Sequence, residues 1–124
     1  MKILVIDDER VIRVFLAEVL TELGHEVTTA VNGKNGLDVF RHNPDYFDIV
    51  FTDRKMPGGV FGEEIICEIK KISPKTFVVF MSGDAQEEVE RIGKAAGADR
   101  IFFKPIRLES IEKAVLEAIS ASKG

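Results

Sequence analysis

Five short apolar runs recur along the chain, each followed by a longer stretch with hydrophobic residues at helical spacing. This alternation constrains the fold more than any other feature. The runs cover residues 3–6, 27–30, 49–52, 77–81 and 101–103. Three of them are apolar almost without interruption, which suits strands buried on both faces, as in a parallel sheet covered by helices. In the intervening segments Ile12, Phe15, Leu16, Val19, Leu20 and Leu23 recur at helix spacing, and Gly24 supplies a stop. Asn32 is placed to cap a helix carrying Leu37 and Phe40, and Ile65, Ile66, Ile69 and Ile72 line a third that ends at Ser73-Pro74. Asp84 with Glu87 reads as a capping box ahead of Val89, Ile92 and Ala96, with Gly97 as the stop. Leu108, Ile111, Val115 and Ile119 make the last helix.

Parallel strands need crossovers, and here helices supply them. The expected architecture is a flavodoxin-like (βα)5 doubly wound sheet with strand order 2-1-3-4-5 and its site at the carboxyl ends of the strands. A chain of 124 residues suits one domain over 1–124.

Composition narrows the function classes. The formal net charge is -4. Lys and Arg are scattered among acids, which argues against direct nucleic-acid binding, where phosphates demand concentrated positive charge. Cys67 is the single cysteine, so no internal disulfide can form. It is read as a packing or surface residue. No apolar run approaches the roughly 20 residues of a membrane span, and no signal peptide is visible. A soluble cytoplasmic protein is expected.

The chemistry lies at the strand ends. Asp7, Asp8 and Glu9 follow the first strand, Asp53 the third, Ser82 the fourth, and Lys104-Pro105 the fifth. Neighbouring strands lie about 4.8 Å apart, so Asp7 and Asp8 meet Asp53, and Ser82 stands beside it. Lys104 starts roughly 10 Å from Asp53, two strand spacings away, a distance its long stem largely covers. Each residue alone has a bland explanation: a helix cap, a turn, a surface lysine. Together they make a polar cluster at one edge. Carboxylates so close repel unless a cation sits among them. A hard, oxygen-rich site favours Mg²⁺, with Mn²⁺ as a plausible substitute, and leaves room for a phosphate oxygen. A carboxylate attacking phosphorus forms an acyl phosphate, with the cation, Lys104 and Ser82 meeting the phosphoryl oxygens.

The segments VIDDE at 5–9, DIVFTDRKMP at 48–57, FMSGD at 80–84, GAD at 97–99 and FFKP at 102–105 resemble the receiver domain of two-component response regulators. The resemblance spans essentially the whole chain. It implies that Asp53 accepts a phosphoryl group from a histidine kinase or phosphotransfer protein. It implies that Asp8, Asp53 and the Lys55 backbone carbonyl bind Mg²⁺ directly and Asp7 through water. Ser82 and Lys104 would read the phosphoryl group and pass its presence to the surface of the fourth helix, fifth strand and fifth helix, where a downstream protein binds. Lys104-Pro105 resembles the family's cis peptide. Such a domain is a regulatory element that assists its own phosphorylation and dephosphorylation rather than an enzyme. The expected form is a stand-alone regulator, monomeric or dimerising on phosphorylation, without membrane insertion.

The sequence departs from the family pattern in two places. Ile101 stands where receivers usually carry an aromatic switch residue, and Gly58-Gly59 implies a differently turned loop before the third helix. Lys55 and Asp84, two residues after Asp53 and Ser82, are placed to pair across the mouth of the site and hinder water. Two independent solvated side chains are the competing reading. His25 and His42 are read as surface residues, and Met56-Pro57 as shaping the loop. The alternatives are an Asp-nucleophile, Mg²⁺-dependent phosphatase of haloacid dehalogenase type, which usually shows D-x-D after its first strand, and a flavin module, whose phosphate the acids would repel.

Overall fold

The computed structural model describes all residues except 57, 59, 85 and 124. Pro57 and Gly59, to which the sequence assigns loop shaping, therefore lie outside the described residues. The chain runs β1 (Lys2–Ile6), α1 (Arg10–Glu22), β2 (Glu26–Ala30), α2 (Gly33–His42), β3 (Ile49–Asp53), α3 (Gly62–Ile72), β4 (Phe77–Ser82), α4 (Gln86–Ala96), β5 (Arg100–Phe103) and α5 (Leu108–Lys123). The five strands form one sheet in the order β2-β1-β3-β4-β5, all pairs parallel. This is the expected doubly wound architecture.

Alternation along the strands explains why β1, β3 and β4 are apolar almost throughout. Successive side chains point to opposite faces, so each of these strands feeds two cores. On one face Leu4, Ile6, Val50, Val78 and Phe80 join Phe40, Ile65, Ile66, Ile69 and Val89 of α2, α3 and α4. On the other, Ile3, Val5, Ile49, Phe51, Val79 and Met81 join Leu16, Leu20, Ile111, Ala114 and Val115 of α1 and α5. Central β3 is buried along its whole length, Asp53 included.

Local signals hold where backbone chemistry dictates them. The Asn32 side chain accepts the Asn35 N–H at 2.8 Å and caps α2. Gly24 turns the chain after α1 with φ +93°, a conformation that favours glycine. Two expectations shift. Helix α4 begins at Gln86, so Asp84 lies outside it, and its carboxylate bonds to Arg54 and Lys55 instead of capping. In α1 only Leu16 and Leu20 are fully buried. Phe15 and Leu23 are exposed, because the core-facing stripe is narrower than the apolar pattern. No helix among the described residues is long and apolar enough to cross a membrane.

Candidate functional site

The carboxyl edge of the sheet is assembled by main-chain hydrogen bonds that extend the ladders past the strands. The Asp7 N–H donates to the Ala30 carbonyl (3.2 Å), Arg54 N–H to Met81 (3.0 Å) and Lys104 N–H to Ser82 (2.8 Å). The last two bonds level the ends of β3, β4 and β5, and the β1–β3 register, with Ile6 opposite Thr52, sets the end of β1 beside them. Glu9, Asp53, Arg54, Lys55, Ser82, Gly83, Asp84 and Lys104 line a cleft of about 160 Å³ there. Larger hollows lie elsewhere, one of about 470 Å³ near Met1 and Phe77, but they lack a comparable convergence of charge.

Asp7, Asp8 and Asp53 each offer a carboxylate oxygen within 4.8 Å of the other two. Asp7 and Asp53 are buried and Asp8 is exposed. Lys104 reaches into this group as its stem length predicts. Its Nζ lies 2.8 Å from Glu9 Oε1, 3.1 Å from Asp53 Oδ1 and 3.2 Å from Asp7 Oδ2. Asp7 Oδ1 accepts the Glu9 N–H at 2.9 Å. Among the described residues Asp7 Oδ2 is buried with no hydrogen bond, and the Lys104 ammonium meets it as an ion pair at 3.2 Å.

The electrostatics follow from this packing. Burial pushes the Asp53 carboxyl up to about 6, and the Asp7 charge adds to the shift, while Lys104 opposes it. Burial likewise raises Asp7, against its bond from Glu9 N–H and the charge of Lys104. Burial disfavours charged Lys104, but its bond to Glu9 and the charges of Asp53 and Asp7 outweigh that and hold it above the ordinary lysine range. One ammonium thus serves three acids, and two of those acids remain reluctant to ionise. The site has an excess of negative charge, and among the described residues Asp7 Oδ2 accepts no hydrogen bond. A hard divalent cation with oxygen ligands and bound water fits both.

Tight packing supports the edge. The Gly62 N–H, at the start of α3, donates to the Arg54 carbonyl at 2.7 Å. A Cβ on Gly62 would overlap the Asp53 carbonyl oxygen and come within 2.8 Å of Phe80 Cε1. The Lys104-Pro105 peptide is cis, as expected. Ile101 is half-buried against the core beneath α4, where a Cβ on Gly93 would lie 2.9 Å from Ile101 Cδ1.

Every site residue expected from the sequence lies at this edge except Ile101, which sits below it on β5. Lys55 Nζ pairs with Asp84 Oδ2 at 3.1 Å across the mouth. Two participants were not foreseen. Glu9, placed with the acids after the first strand but given no partner, bonds Lys104. Arg54, without a role in the sequence reading, places its guanidinium between Asp84 and Glu63. Cys67 and His42 are exposed, and half-buried His25 accepts a bond from the N-terminal amine at 2.7 Å.

Comparison with known proteins points the same way. The family model for the response regulator receiver domain matches residues 3–116. The sporulation initiation phosphotransferase F of Bacillus subtilis is 34% identical over 92% of this chain and 90% of its own length. The DNA-binding transcriptional regulator NtrC of Azospirillum brasilense is 37% identical over 97% of this chain, which spans only 24% of that relative. A receiver domain protein from Clostridium thermocellum superposes with a TM-score of 0.91 at 36% identity, covering 98% of this chain and 96% of that one. The haloacid dehalogenase reading finds no support in these likenesses.

Proposed function

The chain belongs to the response regulator receiver domain family of two-component signalling, and from that membership we propose that it is a switch thrown by phosphorylation of Asp53. The donor is a histidine kinase or phosphotransfer protein. The observation that carries this reading is Asp53 itself: a buried carboxylate at the end of the central strand, 3.1 Å from Lys104 Nζ and within 4.8 Å of Asp7 and Asp8.

Asp53 attacks the phosphorus of a phosphohistidine. A P–O bond forms as the P–N bond breaks, and the imidazole leaves with the electron pair and retains or takes up a proton. Lys104, kept protonated by its three acids, meets the negative charge that gathers on the phosphoryl oxygens. The Ser82 hydroxyl donates to another of those oxygens. Asp8, Asp53 and the Lys55 carbonyl would hold Mg²⁺ directly, and Asp7 would hold it through water. When bound, the ion neutralises charge on the carboxylates and on the incoming phosphoryl group. The acyl phosphate places new charge between Ser82 and Lys104. Both are joined through their main chains to β4 and β5, so the change passes to the face formed by α4, β5 and α5. A downstream protein reads that face. Ile101 lies within it, so the relay works without a rotating aromatic ring at that position.

Incubation with acetyl phosphate and Mg²⁺ tests the reading. Intact mass should rise by one phosphoryl group, and Asp53→Asn should abolish the gain. An unchanged mass for the unaltered protein would refute it.

A further inference from the structure

Arg54 follows the phosphoacceptor directly, and its side chain is only 14% exposed. A guanidinium so covered is costly unless it is paired. Its Nη1 donates to Asp84 Oδ2 at 3.1 Å. On the other side Nε lies 3.6 Å from Glu63 Oε2, too far for a hydrogen bond, and both Nε and Glu63 Oε1 are buried without hydrogen-bond partners among the described residues. The directional bond from Arg54 therefore goes to Asp84. Asp84 in turn donates its main-chain N–H to Ser82 Oγ at 3.0 Å. Ser82 is buried and lines the same cleft as Asp53 and Lys104. A hydroxyl that accepts one hydrogen bond keeps its own hydrogen to donate elsewhere. The connection runs from the Arg54 guanidinium through the Asp84 carboxylate and N–H to the Ser82 oxygen.

We propose that Arg54 is a positioning residue for phosphoryl transfer, acting through Asp84 to aim the Ser82 hydroxyl at the phosphoryl oxygens. This rests on the reading of Asp53 as phosphoacceptor. Lys55 also touches Asp84, but its side chain is 62% exposed, and a solvated ammonium on a flexible stem orients a carboxylate poorly. The guanidinium presents a planar fork from a covered position. The same hydroxyl meets the phosphoryl group on arrival and on departure, so losing its aim slows both steps together. A residue that only stabilised the fold would lower the melting temperature and leave both rates alone.

The test measures phosphoryl gain from acetyl phosphate with Mg²⁺, phosphoryl loss after its removal, and melting temperature. The whole chain is used, unaltered and as Arg54→Gln, Asp84→Ala, Ser82→Ala and the Arg54→Gln/Ser82→Ala double variant. Arg54→Gln should slow gain and loss alike by about three- to tenfold, less than losing a transition-state donor outright. Asp84→Ala should slow gain by a similar factor. In the Ser82→Ala background Arg54→Gln should change neither rate. Arg54→Lys should show the same pattern at smaller amplitude, and it serves if the glutamine variant does not fold. Unchanged rates in Arg54→Gln, or an undiminished effect without Ser82, would overturn the proposal. An unaltered protein that takes up no phosphoryl group would instead overturn the phosphoacceptor reading, and this inference with it.

Discussion

Lys104 Nζ lies 3.1 Å from Asp53 Oδ1, although Asp53 ends β3 and Lys104 follows β5, with β4 between those strands. The same ammonium also touches Asp7 and Glu9, so one cation ties together the ends of β1, β3 and β5. With Lys104→Met the buried Asp7 and Asp53 lose their shared counter-charge. Removing one partner from a buried ion cluster is costly because the other charges stay behind. Metal-free protein should lose roughly 1–3 kcal/mol of stability, and Mg²⁺ should recover more of it in the variant than it adds to the unaltered protein. Urea melts with chelator and with Mg²⁺ measure this; a variant as stable as the parent in chelator would contradict it.

The raised Asp53 carboxyl makes metal-free stability depend on pH with a definite sign. Its value is about 6 in the folded protein against an ordinary 3.8. Between those values the folded state holds more protons than the unfolded one, so stability falls as pH rises through the window. Asp7 shifts in the same direction. By pH 7 the loss from Asp53 amounts to at most about 3 kcal/mol. Asp53→Asn should flatten the slope and raise the melting temperature at pH 7. Added Mg²⁺ should also raise it, by favouring the ionised carboxylates. A metal-free melting temperature that climbs from pH 5 to pH 7 would show that the buried carboxylates do not set it.

Which parts of this site were legible in the sequence follows from how each part is built. Asp7, Asp53, Ser82 and Lys104 directly follow apolar runs, with Asp8 next to the first of them, and parallel order alone brings such ends to one edge. Glu9 and Arg54 depend on side-chain reach and loop path, which no periodicity encodes. Arg54 looks like any surface arginine until Glu63 and Asp84 are seen on either side of it. Asp84 misled for the same reason: a D-x-x-E spacing matches a capping box, yet the loop carries its carboxylate to Arg54 and Lys55. The apolar positions Phe15, Leu23 and Leu108 fit the helical period but remain exposed, since period tells which stripe is apolar and not how wide the contact is.

Gly62 is held by contact and not by unusual dihedrals. A methyl there would meet the Asp53 carbonyl, the Phe80 ring and, at 2.9 Å, Arg54 Cα. All three are backbone or ring atoms and have little room to yield. Gly62→Ala should therefore cost about 1–3 kcal/mol and slow phosphoryl uptake. Gly83→Ala is the control, since nothing lies within 4 Å of a Cβ there. Equal stability for the two variants in urea would contradict this account of the packing.

The pairing of Lys55 with Asp84 bears on how long the phosphoryl group survives. The contact is 3.1 Å long and spans the mouth of the cleft from the β3–α3 loop to the β4–α4 loop. The bond from Lys55 is the main reason the exposed Asp84 carboxyl is held below its ordinary value. Water must pass this mouth to reach the acyl phosphate. Lys55→Ala opens one side while leaving Asp84 anchored by Arg54, so Ser82 keeps its aim and uptake from acetyl phosphate stays unchanged. Decay alone should accelerate, by about two- to fivefold, in keeping with the modest strength of an exposed pair. This separates the two cations on Asp84: Arg54→Gln slows gain and loss together, whereas Lys55→Ala speeds loss only. Decay that is unaffected or slower in Lys55→Ala would mean the pair does not obstruct water, and that the two side chains are no more than neighbours in solvent.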